Sequence, residues 1–146
     1  MNNHMELSFL PIAENEAFAR MVVSAFLMQM NPTLSLVSEV RTAVSEAVTN
    51  AVVHAYANGA SGKVYLRAAL TDSRVEIEVE DFGCGIADVK QAMTPFYTTQ
   101  PEQERSGMGF SLMLSFMDGV QVISSPGKGT MVKMSKLLRE EDLDAI

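Results

Sequence analysis

Cysteine, tryptophan and basic side chains are all scarce in this chain, and each shortage removes a class of function. One cysteine, Cys84, cannot close an intrachain disulfide, and with two histidines no Cys/His cluster has zinc-site spacing. Eleven Lys and Arg stand against eighteen Asp and Glu, a net charge of −7. That is the wrong sign for gripping a phosphate backbone through the overall field, so nucleic acid is not an expected partner. No apolar run approaches the roughly 20 residues of a membrane span, since Ser24 interrupts the best candidate at residues 21–28. The opening Met-Asn-Asn-His-Met-Glu lacks the basic start and apolar stretch of a secretory signal, so a soluble, cytoplasmic protein is expected. Apolar residues, by contrast, make up 47% of the 146 residues, enough for one compact core. Residues 1–138 are expected to form that single domain, with 139–146 an acidic, frayed tail.

Met5, Leu7 and Phe9 alternate with Glu6 and Ser8, the two-residue period of a half-buried strand that Pro11 stops. Residues 15–30 change to helical spacing, with Phe18, Met21, Val22, Ala25 and Phe26 as the expected buried stripe and Arg20 opposite it, exposed. A second helix is predicted over 35–57, its stripe formed by Val37, Val40, Val44, Ala47, Val48, Ala51 and Ala55, with Asn58-Gly59 as the stop. Strands follow at 63–70, 75–80, 120–124 and 130–136, the first two joined by a turn at 71–73 and the last two by a hairpin at 125–129. The intervening 81–109 is a long loop of the kind that carries function, and 110–117 reads as a short helix. Helices first and hairpins later argue for an α+β fold, a two-layer sandwich with helices on one face of a mixed sheet.

On the second helix Glu46 and Asn50 share the face away from the apolar stripe. They are either a solvated helix side or a proton acceptor one turn from a neutral oxygen that suits Mg²⁺. In strand 75–80 the valines and isoleucine point inward and the glutamates outward, and Asp81 falls on the inward parity. An inward carboxylate is costly unless donors meet it. Asp81 is therefore either the cap of the turn at 81–83 or an acceptor for a ligand amino group, with Gly83 and Gly85 allowing close approach. Ser106-Gly107-Met108-Gly109 stands directly before the helix at 110, so it is either a hinge or an anion seat at a helix N-terminus. Asp81-Phe82-Gly83 is not the magnesium triad of eukaryotic-type kinases, because the lysine strand and the His-Arg-Asp loop are missing.

Taken in order, these residues resemble the GHKL superfamily of ATPases and kinases, whose Bergerat fold sets a helix layer on a mixed sheet under a mobile ATP lid. Glu46-Ala-Val-Thr-Asn50-Ala is similar to its N box, Asp81-Phe-Gly-Cys-Gly85 to its G1 box, Ser106-Gly-Met-Gly109 to its G2 box, and Gly129-Thr130 to its last nucleotide contact. Residues 45–54, 96–99 and 104–110 further resemble the anti-sigma serine kinases of spore-forming bacteria within that superfamily. The resemblance implies a homodimer that binds ATP or ADP with Mg²⁺, holds a sporulation sigma factor inactive, and phosphorylates a serine of a STAS-type anti-anti-sigma protein. Glu46 would be the base and Asn50 the Mg²⁺ ligand. Asp81, Gly83, Gly85, Thr99, Ser106, Gly107, Met108, Gly109 and Thr130 would contact the nucleotide. Arg105 would stabilise transferred phosphoryl charge, and residues 95–105 would form the lid. Arg20 is either an ordinary solvated arginine or part of a footprint shared by both protein partners. Neither His4 nor His54 lies in a phosphoacceptor-like sequence, which disfavours histidine autophosphorylation. A nucleotide-gated binding module without catalysis is the competing expectation.

Overall fold

The computed structural model describes residues 2–56, 61–93 and 109–143. Strand β1 (Asn3–Phe9) leads into helix α1 (Ala13–Leu27), which tightens into a 3₁₀ turn over Met28–Met30 before Asn31 reverses the chain with φ 49. Helix α2 (Leu34–Asn50) starts at Thr33, whose hydroxyl accepts the Leu36 N–H. Strands β2 (Val64–Leu70) and β3 (Arg74–Asp81), the one-turn helix α3 (Val89–Ala92), helix α4 (Gly109–Phe116), and strands β4 (Gly119–Ser125) and β5 (Gly129–Leu137) complete the order. Asp88, inside the expected long loop, starts α3 by accepting the Gln91 N–H.

Among the described residues five strands form one sheet in the order β1-β2-β3-β5-β4. All four ladders are antiparallel, where a mixed sheet was expected. Val64, Leu66, Ala68 and Leu70 of β2, Val75, Ile77 and Val79 of β3, and Val132 and Met134 of β5 point to the helix layer and are buried there. Glu6, Arg67, Glu78, Glu80 and Lys133 cover the other face with ion pairs around Arg67 and Glu78. This confirms the α+β sandwich with helices on one face, because strict alternation gives each strand a single apolar side. Among the described residues no helix is long and apolar enough to cross a membrane.

Helix α2 and the turn that follows it bury the expected stripe, Val37, Val40, Val44, Ala47 and Val48 on the helix and Ala51 and Ala55 beyond it. Helix α1 does not. Ala19, Val23 and Leu27 are buried with Glu16, whereas Phe18 and Met21 are 51% and 68% exposed. Apolar residues stand on more than one side of the helix, and the set that faces the core is Ala19, Val23 and Leu27. Arg20 is accordingly not opposite the buried face: its side chain is 35% exposed and pairs with Glu16 at 3.6 Å. The glutamate also accepts the Ser45 hydroxyl of α2. At the far end of the helix-facing side of β5, Lys136 is 7% exposed and donates to the Phe116 carbonyl at the end of α4 (2.7 Å) and to Glu39 (3.4 Å). Beyond Leu138, Asp142 accepts the Thr33 N–H through its carbonyl, and Leu143 bridges to Pro32.

Candidate functional site

The two ladders flanking β5 set three polar residues in one row at the sheet's end. Asp81 pairs with Thr130, and Thr130 with Ser124, across β3, β5 and β4. Asp81 takes the inward position that alternation predicts and is 6% exposed. Burial pushes its carboxyl above the usual carboxylate range; the main-chain N–H groups of Gly83 and Thr130 pull it partly back, and the Glu80 charge raises it further. Its Oδ1 accepts the Gly83 N–H at 3.0 Å, so the residue caps its turn as one alternative held. The cap uses one oxygen lobe of a carboxylate that has about four acceptor directions, so the ligand-acceptor role is compatible with it.

After Asn50 the helical path continues for one π turn, Ala51–Ala55, instead of ending. A π turn takes carbonyls out of the ordinary ladder, and such turns recur at functional sites. Here the Ala55 carbonyl accepts the Cys84 N–H at 2.7 Å, and Cys84 Sγ lies 3.3 Å from the His54 carbonyl. A Cβ at position 83 would run into the Ala55 carbonyl, which is why glycine stands there. On its other side the loop is held by the β4–β5 hairpin. Cys84 accepts the Gly127 N–H through its carbonyl (2.7 Å), Ile86 donates to Ser124 Oγ (2.7 Å), and Gly85 adopts φ 75 against the Ser125 carbonyl. Tyr56 closes the set: its hydroxyl donates to the Lys63 carbonyl (2.8 Å) and accepts the Phe82 N–H (2.9 Å). Burial lifts that phenol above its ordinary pKa, so it serves as a neutral donor and acceptor.

Residues 81–86 are thus clamped between the end of α2 and the hairpin, bringing Asp81, Gly83, Gly85 and Thr130 together as expected. Glu46 and Asn50 are one turn apart on α2, both half-buried. Gly109 opens α4. Thr99, Arg105, Ser106, Gly107 and Met108, and the expected lid at 95–105, lie outside the described residues. Sequence reasoning missed Ser124, Tyr56 and Glu16. Ser124 stands opposite Thr130 across the predicted hairpin and was findable from that register, and Glu16 lies one turn before Arg20. Nothing local marks Tyr56, whose partners are 7 and 26 residues away.

Residues 11–136 match the family described as the histidine kinase-like ATPase domain. The anti-sigma F factor of Oceanobacillus iheyensis is 50% identical to this chain over 138 residues, covering 94% of each. That of Caldanaerobacter subterraneus subsp. tengcongensis is 52% identical over 137 residues, covering 94% of this chain and 95% of the relative. The anti-sigma F factor of Bacillus subtilis is 46% identical over 138 residues, again 94% of each. A crystal structure of the RsbU and RsbW domains of a Mycobacterium tuberculosis protein is alike in fold, with TM-score 0.69 at 19% identity. It covers 98% of this chain and 35% of that one. The chain belongs to the histidine kinase-like ATPase domain family and, within it, to the anti-sigma F factors.

Proposed function

We propose that this protein is a nucleotide-gated anti-sigma factor and an ATP-dependent serine kinase. In this reading it holds a sporulation sigma factor while ATP is bound, and it phosphorylates a serine of a small STAS-type anti-anti-sigma protein. The observation that carries the nucleotide half is Asp81, a buried carboxylate with acceptor capacity to spare, fixed at the sheet's end by its own turn and by Thr130. Such a group is stable only where donors meet it, and the 6-amino group of adenine is a fitting donor. The relatives' names support the sigma-factor half.

Glu46 accepts the proton of the substrate serine as its oxygen attacks the γ-phosphorus and the bond to ADP breaks. Asn50, one turn on, would hold Mg²⁺ with its neutral side-chain oxygen, and the ion would offset phosphate charge. Thr99, Ser106, Gly107, Met108 and Gly109 contact the nucleotide in this reading, and Arg105 stabilises the transferred group. The protein acts as a homodimer, and the exposed Phe18 and Met21 beside Arg20 on α1 support a protein-facing role for that helix. Phosphorylation adds charge to the STAS protein at the contact and releases it.

The test is incubation with γ-labelled ATP and a candidate STAS protein, beside capture of the sigma factor in ATP and in ADP. Label on a STAS serine with ATP-favoured capture is the expected result. Capture without transfer would leave a binding module that lacks catalysis, and neither, with ATP bound, would overturn the reading.

A further inference from the structure

Ser124 Oγ makes three contacts. Ile86 N–H donates to it at 2.7 Å, the Gly129 carbonyl lies 2.9 Å away, and Thr130 Oγ1 lies 2.9 Å away. A hydroxyl has one proton and two lone pairs. The Gly129 carbonyl can only accept, and the Ile86 amide can only donate. One arrangement satisfies all three contacts: Ser124 gives its proton to Gly129, and its two lone pairs take the Ile86 and Thr130 protons. The Thr130 hydroxyl proton is then committed inward, and toward a ligand Thr130 Oγ1 presents lone pairs alone. Asp81, beside it in the same row, also presents lone pairs.

We infer that Ser124 is a specificity-determining residue that orders the Thr130 hydroxyl, so that the site's end row reads a purine through acceptors only and selects a 6-amino edge over a 6-oxo edge. This rests on the nucleotide reading above and deepens it. A site built this way rejects guanine because carbonyl O6 would face two acceptors with no proton between them. Burial strengthens the rejection, since leaving polar groups unmatched is what gives polar sites their discrimination. Ser124 itself acts through Thr130 and through the loop amide of Ile86 and so is a positioning residue.

The test measures ATP and GTP affinity by calorimetry for the wild type, Ser124→Ala and Thr130→Val, with thermal melts as a check on folding. In Ser124→Ala the Thr130 proton is free to turn outward, and the GTP-to-ATP ratio of dissociation constants should narrow by about tenfold or more. Thr130→Val leaves Ser124 bonded to Ile86 and Gly129, and it should narrow the ratio without loosening the loop. Ser124→Ala added to Thr130→Val should change the ratio no further. A ratio unchanged within about twofold in either folded single variant overturns the inference while ATP binding itself stands. A wild type that binds no adenine nucleotide overturns the nucleotide reading and this inference with it.

Discussion

The Ala55 carbonyl accepts the Cys84 N–H at 2.7 Å, joining the π turn at the end of α2 to the glycine loop after β3. Through this bond the helical segment that follows Glu46 and Asn50 is tied to the loop that follows Asp81. The proposed base and Mg²⁺ ligand on the helix and the proposed adenine acceptor are thereby tied together by main-chain atoms rather than by a side chain that substitution could delete.

Gly83→Ala should break that joint, since its Cβ would enter the Ala55 carbonyl, a backbone atom with little room to move. Overpacking of this kind costs about 1–3 kcal/mol. Urea denaturation is expected to show such a loss, together with weakened ATP binding. Gly127→Asn is the contrast: position 127 has φ 78 but open space around it, and Asn tolerates the left-handed region, so a loss of well under about 1 kcal/mol is expected.

Asp81 predicts a pH dependence of definite sign. Burial holds its folded pKa above the ordinary aspartate range, so the folded state binds the proton more tightly than the unfolded one. Stability from this group is then present at low pH and is lost as pH rises from the unfolded value through the folded one. Melting curves of the ligand-free wild type minus those of Asp81→Asn should fall across that window and stay level above it. A donor from adenine favours the charged form, so ATP should bind more tightly as pH rises through the same window. A difference curve that is flat, or that rises with pH, would show that burial does not dominate this carboxyl.

Arg20 is braced by Glu16, which also accepts the Ser45 hydroxyl next to the expected base on α2. Its partly exposed i,i+4 pair contributes about 0.3–1 kcal/mol, so Arg20→Ala should leave the protein folded. If Arg20 belongs to a shared footprint, binding of both the sigma factor and the STAS protein should weaken by about tenfold or more, roughly 1.4 kcal/mol. Affinities that stay within about twofold would reduce Arg20 to a clip for the buried Glu16.

Lys136→Met keeps the side-chain volume and removes the donor to Phe116 and Glu39. Breaking a fully buried ion pair costs about 3–5 kcal/mol. Glu39 remains about one-third exposed, so water can serve it, and the expected loss is nearer one hydrogen bond, about 1–2 kcal/mol by denaturant titration. A loss near the larger range would show that Lys136 and Glu39 share a dry site.

The strands were legible because alternation is a strong local signal, and even the inward turn of Asp81 followed from counting parity along residues 75–80. The antiparallel placement of β5 beside β3 was not, since nothing local says which edge of a hairpin is joined. The buried face of α1 was misread: helical spacing fits the stripe of Phe18 and Met21 as well as that of Ala19 and Val23, and the second is the one buried. That Glu46 and Asn50 lie one turn apart on one helix was legible from spacing, whereas the π turn was not, because Ala51 to Ala55 continues an ordinary helical pattern in sequence. Ser124 needed the register of a hairpin as well as its existence.

The most direct test of the account is single-turnover transfer of labelled γ-phosphate to the STAS protein by the wild type and by Glu46→Gln, with ATP affinity measured in parallel. The account predicts labelled serine from the wild type, a rate lower by about 10² to 10⁴ in the variant, and ATP affinities that agree within about twofold. Transfer by Glu46→Gln at the wild-type rate, or no transfer by a wild type that binds ATP and the STAS protein together, would contradict it.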